Sequence, residues 1–226
     1  MGGGGQSGGP VVNRPCPLCR TADGTAIRTP DGILYSRCNS CGCISRDPVH
    51  RVDAPTERNR YLLHENFPDD PGYRRWIQAF LDFACDPPLG PDARILDFGS
   101  GPNPVLAAML ESAGYSVELQ DRFFAPGRPE GPFDLILALE VFEHLDDPAG
   151  ELADLASRLA PGGRLAISTE FIPEGDEAFS AWAYRSDITH IVFYTDRALT
   201  RAAEAVGLDR VDGDGRRYIA FERPPC

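Results

Sequence analysis

The chain contains no run of about 18 consecutive apolar residues, so it offers no membrane-spanning helix. Its glycine-rich start has no apolar core and does not read as a secretory signal. A flexible tail over residues 1–13 and a cytoplasmic location are therefore expected. Positive charge is scarce: 22 Lys and Arg against 34 Asp and Glu leave a net charge of −12. A surface of that sign repels phosphate backbones and disfavours nucleic acid as a partner. No internal repeat is visible, and nothing in the sequence sets an oligomeric state. What is present, 226 residues with 42% hydrophobic and 25% charged content, suits one α/β domain with a small appendage. In a reducing compartment the seven cysteines read as metal ligands or free thiols rather than disulfides.

The chain is organised around residues 94–101. Residues 94–98 read as a short buried strand, and Gly99, Ser100 and Gly101 let the backbone turn sharply and a ligand approach closely. Asn103 is a candidate helix cap and Pro104 a good first helical residue, so a helix is expected over 104–111. Strand, glycine turn and helix in this order build nucleotide sites at the carboxyl ends of open α/β sheets. The turn is not G-x-G-x-x-G, because Pro102-Asn103-Pro104 follows Gly101, which argues against a dinucleotide reductase. A second strand, 116–120, ends at Asp121, placed to accept hydrogen bonds from ribose hydroxyls.

Before this lies Cys16-Pro17-Leu18-Cys19, then eighteen residues, then Cys38-Asn39-Ser40-Cys41. Two C-x2-C pairs at that separation read as a four-thiolate structural zinc site in a ribbon over 14–48. So small a module cannot bury enough apolar surface to fold alone, and metal binding supplies the difference. Cys43 and His50 are spare donors nearby. Residues 49–71 read as a polar connector with a short helix near 56–64, and a lid over the site is the alternative. A helix over 72–85 carries Tyr73, Trp76, Ile77, Phe80, Leu81 and Ala84 at helical spacing, a stripe expected to pack in the core. Further along come a strand over 133–139 ending at Glu140, a helix over 149–159, a strand over 164–169, a helix over 196–206 with Thr195 as cap, and a closing antiparallel hairpin.

These motifs together resemble the class I S-adenosylmethionine-dependent methyltransferases. Residues 95–102 look like that family's first motif, Asp121 like its ribose-binding acid, 133–144 like its fourth-strand motif and 159–165 like the turn into its fifth strand. Trp182-Ala183-Tyr184 through Tyr194 looks like a bacterial subgroup with an N-terminal zinc ribbon. The resemblance implies a Rossmann-like doubly wound α/β sheet over 72–226. It implies S-adenosylmethionine bound by Asp97, Gly99, Ser100, Gly101, Asp121, Phe123 and Glu140. The stretch between Asp121 and the fourth strand is too short for the family's third strand, so Phe123 and Phe124 are candidates to hold adenine or to pack the sheet edge.

The methyl acceptor is expected to be a small molecule. His144, His190, Glu140 and Tyr184 are the candidate catalytic groups, with Tyr194 as further lining and Trp182 as a residue that could close the pocket. Topology brings His144 and His190 to one crevice. The string from Glu140 to His144 also resembles the divalent-metal set of ubiquinone-pathway O-methyltransferases and small-RNA 2′-O-methyltransferases. Glu140, Glu143, His144 and His190 are accordingly a candidate divalent site. An RNA methyltransferase and a catalytically idle cofactor-binding adaptor are the alternatives.

Overall fold

The computed structural model describes residues 10–63 and 67–225. Most of the expected tail, and the last residue of the expected 56–64 helix, lie outside them. Four short strands come first: β1 (Val11–Val12), β2 (Gly24–Arg28), β3 (Leu34–Cys38) and β4 (Ile44–Arg46). Two helices follow, α1 (Ala54–Leu62) and α2 (Pro71–Ala84), capped by the side chains of Asp53 and Asp70. Then β5 (Arg94–Phe98), α3 (Val105–Ser112), β6 (Ser116–Gln120), β7 (Phe133–Leu139), α4 (Pro148–Ser157) and β8 (Leu159–Ser168) alternate. The chain ends with α5 (Asp176–Ala181), β9 (Val192–Phe193), α6 (Asp196–Ala205), β10 (Asp209–Gly213) and β11 (Tyr218–Glu222).

The main sheet has the order β10-β11-β8-β7-β5-β6. Its four middle and edge strands β8, β7, β5 and β6 run parallel, and β11 and β10 add the expected antiparallel hairpin. The central strands read as continuous apolar runs because helices cover both faces. Ile95, Leu96, Leu135, Ile136 and Leu137 are all fully buried. The strand order reverses beside β5, where the chain runs outward to β6 and back to β7. A crevice opens outside the carboxyl ends of the strands at such a reversal. No strand lies beyond β6 among the described residues, as the short 122–132 connection implies.

Two local expectations are corrected. Asn103 does not cap α3: Pro104 takes the cap position, with no side-chain hydrogen bond. The Pro161-Gly162-Gly163 turn does not precede its strand but sits inside β8. Leu159 already pairs with Phe133, and the register then slips so that Arg164 faces Leu135. The ribbon sheet also reaches beyond residues 14–48. Its order is β1-β2-β3-β4-β9, so a strand from residues 192–193 completes it. Cys16, Cys38 and Cys41 share one apolar core with Leu96, Phe142 and Tyr194.

Candidate active site

A cavity of about 760 Å³ occupies the crevice at the ends of β5, β6 and β7. Its floor is the glycine turn. Gly99 adopts φ +79°, and a Cβ there would meet Val141 Cγ2 at 2.3 Å, so only glycine fits. Gly101 also has positive φ, and the space above it is open. Ser100 Oγ is buried with no hydrogen-bond partner among the described residues. A backbone cradle, an open approach and an orphaned hydroxyl fit the cofactor that the resemblance implies.

Asp121 closes the far side of this floor. One carboxylate oxygen accepts from Gly101 N (3.0 Å), the other from Phe123 N (2.7 Å) and Phe124 N (2.9 Å). The acid therefore ties the glycine turn to the end of β6, with lone pairs remaining for a ligand. Phe123 lines the cavity, whereas Phe124 packs under Arg58 and does not. Asp97 is not on the cavity surface. It is 3% exposed, and burial followed by the neighbouring Asp121 charge raises its pKa to about 7.

At the opposite end Glu140, His144 and His190 line the cavity, with the fully buried Glu143 beside them. Glu140 has left-handed backbone, φ 54°, an arrangement that non-glycine residues adopt at a cost and that concentrates at functional sites. Its carboxylate accepts from Ser168 Oγ (2.6 Å) and from the Tyr184 hydroxyl (2.8 Å). The same hydroxyl lies 2.6 Å from Glu143 Oε1. A phenol has one proton to give, so the two carboxyls cannot both be charged acceptors of it. Burial raises both acids to about 7, helped for Glu140 by the charge of Glu143.

The imidazoles are fixed by carbonyls. His144 Nδ1 lies 3.0 Å from Thr189 O, and His190 Nδ1 lies 2.7 Å from Tyr184 O. A carbonyl can only accept, so each Nδ1 carries the proton and each Nε2 keeps its lone pair. The ring centroids are 4.8 Å apart. Burial lowers both pKa values, and the facing His144 helps bring His190 to about 3. Both rings are neutral at pH 7 and can accept a proton or bind a metal. Glu143, His144 and His190 offer ligand atoms within 4.8 Å of one another, and Glu143 Oε2 is buried with no hydrogen-bond partner among the described residues. That donor set fits a divalent cation. Glu140, included in the sequence-derived set, is turned to Ser168 and Tyr184 instead.

Other expected residues fall elsewhere. Tyr194 is fully buried and donates to Phe142 O (2.6 Å), away from the cavity. Trp182 donates to Glu170 (3.1 Å) and packs near Phe193, so it does not close the pocket. Tyr73 and Trp76 of α2 pack against the core as expected, but only partly buried, and they also stack on each other and line the cavity. Glu57 and Tyr61 of α1 also line it, with Tyr61 edge-on to His144 at 5.2 Å. The signal for α2 was present: Tyr73 and Trp76 stand in its first turns, beyond the fully buried Ile77 and Phe80. No comparable signal marked α1.

In the ribbon, the thiols of Cys16, Cys19, Cys38 and Cys41 cluster within 4.8 Å of one another. Cys16–Cys41 and Cys19–Cys38 sulfurs are 3.7 and 3.5 Å apart. A tetrahedral ion with about 2.3 Å bonds to sulfur spaces its ligands about 3.8 Å apart, whereas a disulfide needs about 2.05 Å. The cluster fits a zinc ion. His50 is not part of it.

Comparison with known proteins bears on the family and the fold. The family profile of a methyltransferase domain matches residues 63–212. The ubiquinone biosynthesis O-methyltransferase of Aeromonas salmonicida (strain A449) is 28% identical over 138 residues, covering 56% of this chain and 58% of that protein. The chain thus spans little more than half of that relative. Two solved structures share the fold. The magnesium protoporphyrin IX methyltransferase of Synechocystis PCC 6803, with bound S-adenosylhomocysteine, has TM-score 0.54 at 14% identity, over 76% of this chain and 95% of that one. The Burkholderia thailandensis 1,6-didemethyltoxoflavin-N1-methyltransferase has TM-score 0.52 at 17% identity, over 88% and 99%.

Proposed function

The chain belongs to the class I S-adenosylmethionine-dependent methyltransferases, and on that premise we propose that it methylates an oxygen of a small-molecule acceptor. The observation that carries this reading is the pair of neutral imidazoles, each with a free Nε2, at the end of β7 beside the cofactor floor. A hydroxyl acceptor needs a base at that position, whereas a neutral amine does not. The acceptor sits under Tyr61, Tyr73 and Trp76, in a cavity of small-molecule size. The relative's name as an O-methyltransferase supports oxygen. The net charge of −12 weighs against RNA, and a site so furnished weighs against an idle adaptor.

S-adenosylmethionine supplies a methyl already activated on a cationic sulfur, so the chain's task is positioning and proton removal. Gly99, Ser100 and Gly101 hold the cofactor by backbone and hydroxyl, Asp121 takes the ribose and Phe123 covers adenine. Glu140 closes the methyl end. His144 Nε2 receives the acceptor proton, and Thr189 O steadies the imidazolium through Nδ1–H. The orphaned Glu143 oxygen favours a second reading of the same site. A divalent cation held by Glu143, His144 and His190 would lower the acceptor hydroxyl's pKa as a Lewis acid. Cys16, Cys19, Cys38 and Cys41 hold one structural zinc, which a cytoplasmic setting suits by keeping these thiols reduced.

The test is incubation of size-fractionated cell extract with methyl-labelled S-adenosylmethionine, then mass spectrometry of the labelled product. Label on oxygen in the small-molecule fraction is expected. Label in RNA or protein contradicts the reading. Loss of incorporation with chelator and recovery with Mg²⁺ or Mn²⁺ selects the cation, and indifference to chelator selects His144 alone.

A further inference from the structure

Tyr184 to His190 is the stretch that fixes both histidines, and it is held from the ribbon side. Arg46, the last residue of β4, is 2% exposed. Its guanidinium donates to Ile188 O (2.8 Å), Arg185 O (2.8 Å) and Asp187 O (3.0 Å). Its backbone N–H donates to Ile191 O (2.8 Å), extending the β4–β9 ladder. The guanidinium lies near the Tyr35 ring, with its Cζ 5.8 Å from the centroid, and its Nε has no hydrogen-bond partner among the described residues. Burying a cation among carbonyls is costly, and an apolar side chain would fill the space at lower cost. What a guanidinium offers is several donors fixed in one plane, able to hold three carbonyls in one geometry.

Those three carbonyls lie between the two that matter for the site. Tyr184 O, just before them, accepts from His190 Nδ1, and Thr189 O, just after, accepts from His144 Nδ1. Tyr184 also places its hydroxyl between Glu140 and Glu143. We propose that Arg46 is a positioning residue for methyl transfer: it clamps the 185–188 turn so that the Tyr184 and Thr189 carbonyls aim both Nε2 atoms into the cavity. The ribbon therefore serves the reaction as well as its own fold. The inference rests on the proposed function only for the use made of the histidines, and its geometry stands apart from that reading.

The test uses full-length protein with ¹⁵N-labelled histidine, comparing Arg46→Met and Arg46→Lys with wild type by NMR. In wild type the Nδ1–H protons of His144 and His190 should exchange slowly. In Arg46→Met both should exchange at least about tenfold faster, the signature of local opening. Affinity for S-adenosylhomocysteine, measured by calorimetry, should stay within about twofold. Arg46→Lys keeps the charge without the planar fork and should fall between the two. If Arg46→Met fails to fold, the Lys variant carries the comparison alone. Wild-type protection of both protons in the variants overturns the proposal. So does a parallel loss of protection and cofactor affinity, which would mark a merely structural residue. Failure of the methyl-transfer reading would appear instead as a wild-type protein that labels no small molecule, with the exchange contrast intact.

Discussion

Asp97 and Asp121 are two acids at the ends of neighbouring parallel strands, and their environments set them apart. Asp97 is buried beneath the glycine turn with its pKa raised to about 7, while Asp121 faces the cavity and holds three backbone N–H groups. A raised folded pKa means that the native state binds more protons than the unfolded state between about pH 4 and pH 7. Asp97 therefore costs nothing at low pH and destabilises progressively as pH rises through that window. Replacing it by Asn should remove this slope, on the order of a few kcal/mol between pH 4 and pH 8. Denaturant unfolding of both proteins across that range checks it, and parallel pH profiles would contradict the burial argument. For Asp121→Ala, cofactor affinity should fall by roughly 1.5–3 kcal/mol, the scale of hydrogen bonds to a charged group. Calorimetry giving unchanged affinity in a folded variant would remove Asp121 from the seat. Asp121 was legible in the sequence because a strand end fixes where its side chain must be. The orphaned Glu143 oxygen was not, since no periodicity reports that a carboxylate is 0% exposed.

Among the elements, α1 is held differently from the rest. It buries none of its residues fully, and it is attached over the cavity by Glu57–Arg122 and Arg60–Asp187 ion pairs and by Tyr61 against His144. In both pairs the arginine is exposed while the carboxylate is mostly buried, and the exposed partner leaves them open to screening by salt. Arg60→Ala, or salt near about 1 M, where screening acts within about 3 Å, should speed amide exchange in 54–62 while leaving the β5 and β7 amides protected. Equal protection in α1 with and without Arg60 would show that packing, not charge, holds it. The polar sequence of α1 told of a short helix but not of its seat, because ion pairs across 65 or 127 positions leave no local pattern. In α2 the helical spacing was readable, yet the stripe serves two surroundings. Ile77 and Phe80 enter the core, and Tyr73 and Trp76 reach past the sheet edge into the cavity.

For the whole molecule, the separate strands and the closing hairpin follow from the alternation of short apolar runs and glycine turns, whereas the absence of a strand beyond β6 among the described residues was expected from the family resemblance. The fusion of the ribbon with the main domain follows from neither. It depends on contacts distant in sequence, among them Val192 and Phe193 pairing with Ser45 and Ile44 across nearly 150 positions. It follows that ribbon and domain should unfold together. Elemental analysis should find about one zinc per chain, the stoichiometry of one four-thiolate site, and full zinc in a Cys16→Ser, Cys38→Ser double variant would sink that assignment. Stripping the metal should lower one shared calorimetric transition by several degrees, as expected when a common core loses about 1 kcal/mol or more. A separate early transition, with the main peak unmoved, would contradict the shared core.

We propose that methyl transfer takes place beside His144 and His190. It is tested most directly by turnover of the labelled small-molecule fraction by His144→Ala at saturating cofactor, beside calorimetric affinity for S-adenosylhomocysteine. The account predicts turnover lower by about two to four powers of ten, the usual contribution of a positioned base, with cofactor affinity nearly unchanged. Turnover within about threefold of wild type, far below that contribution, in a folded variant that binds cofactor normally would contradict it.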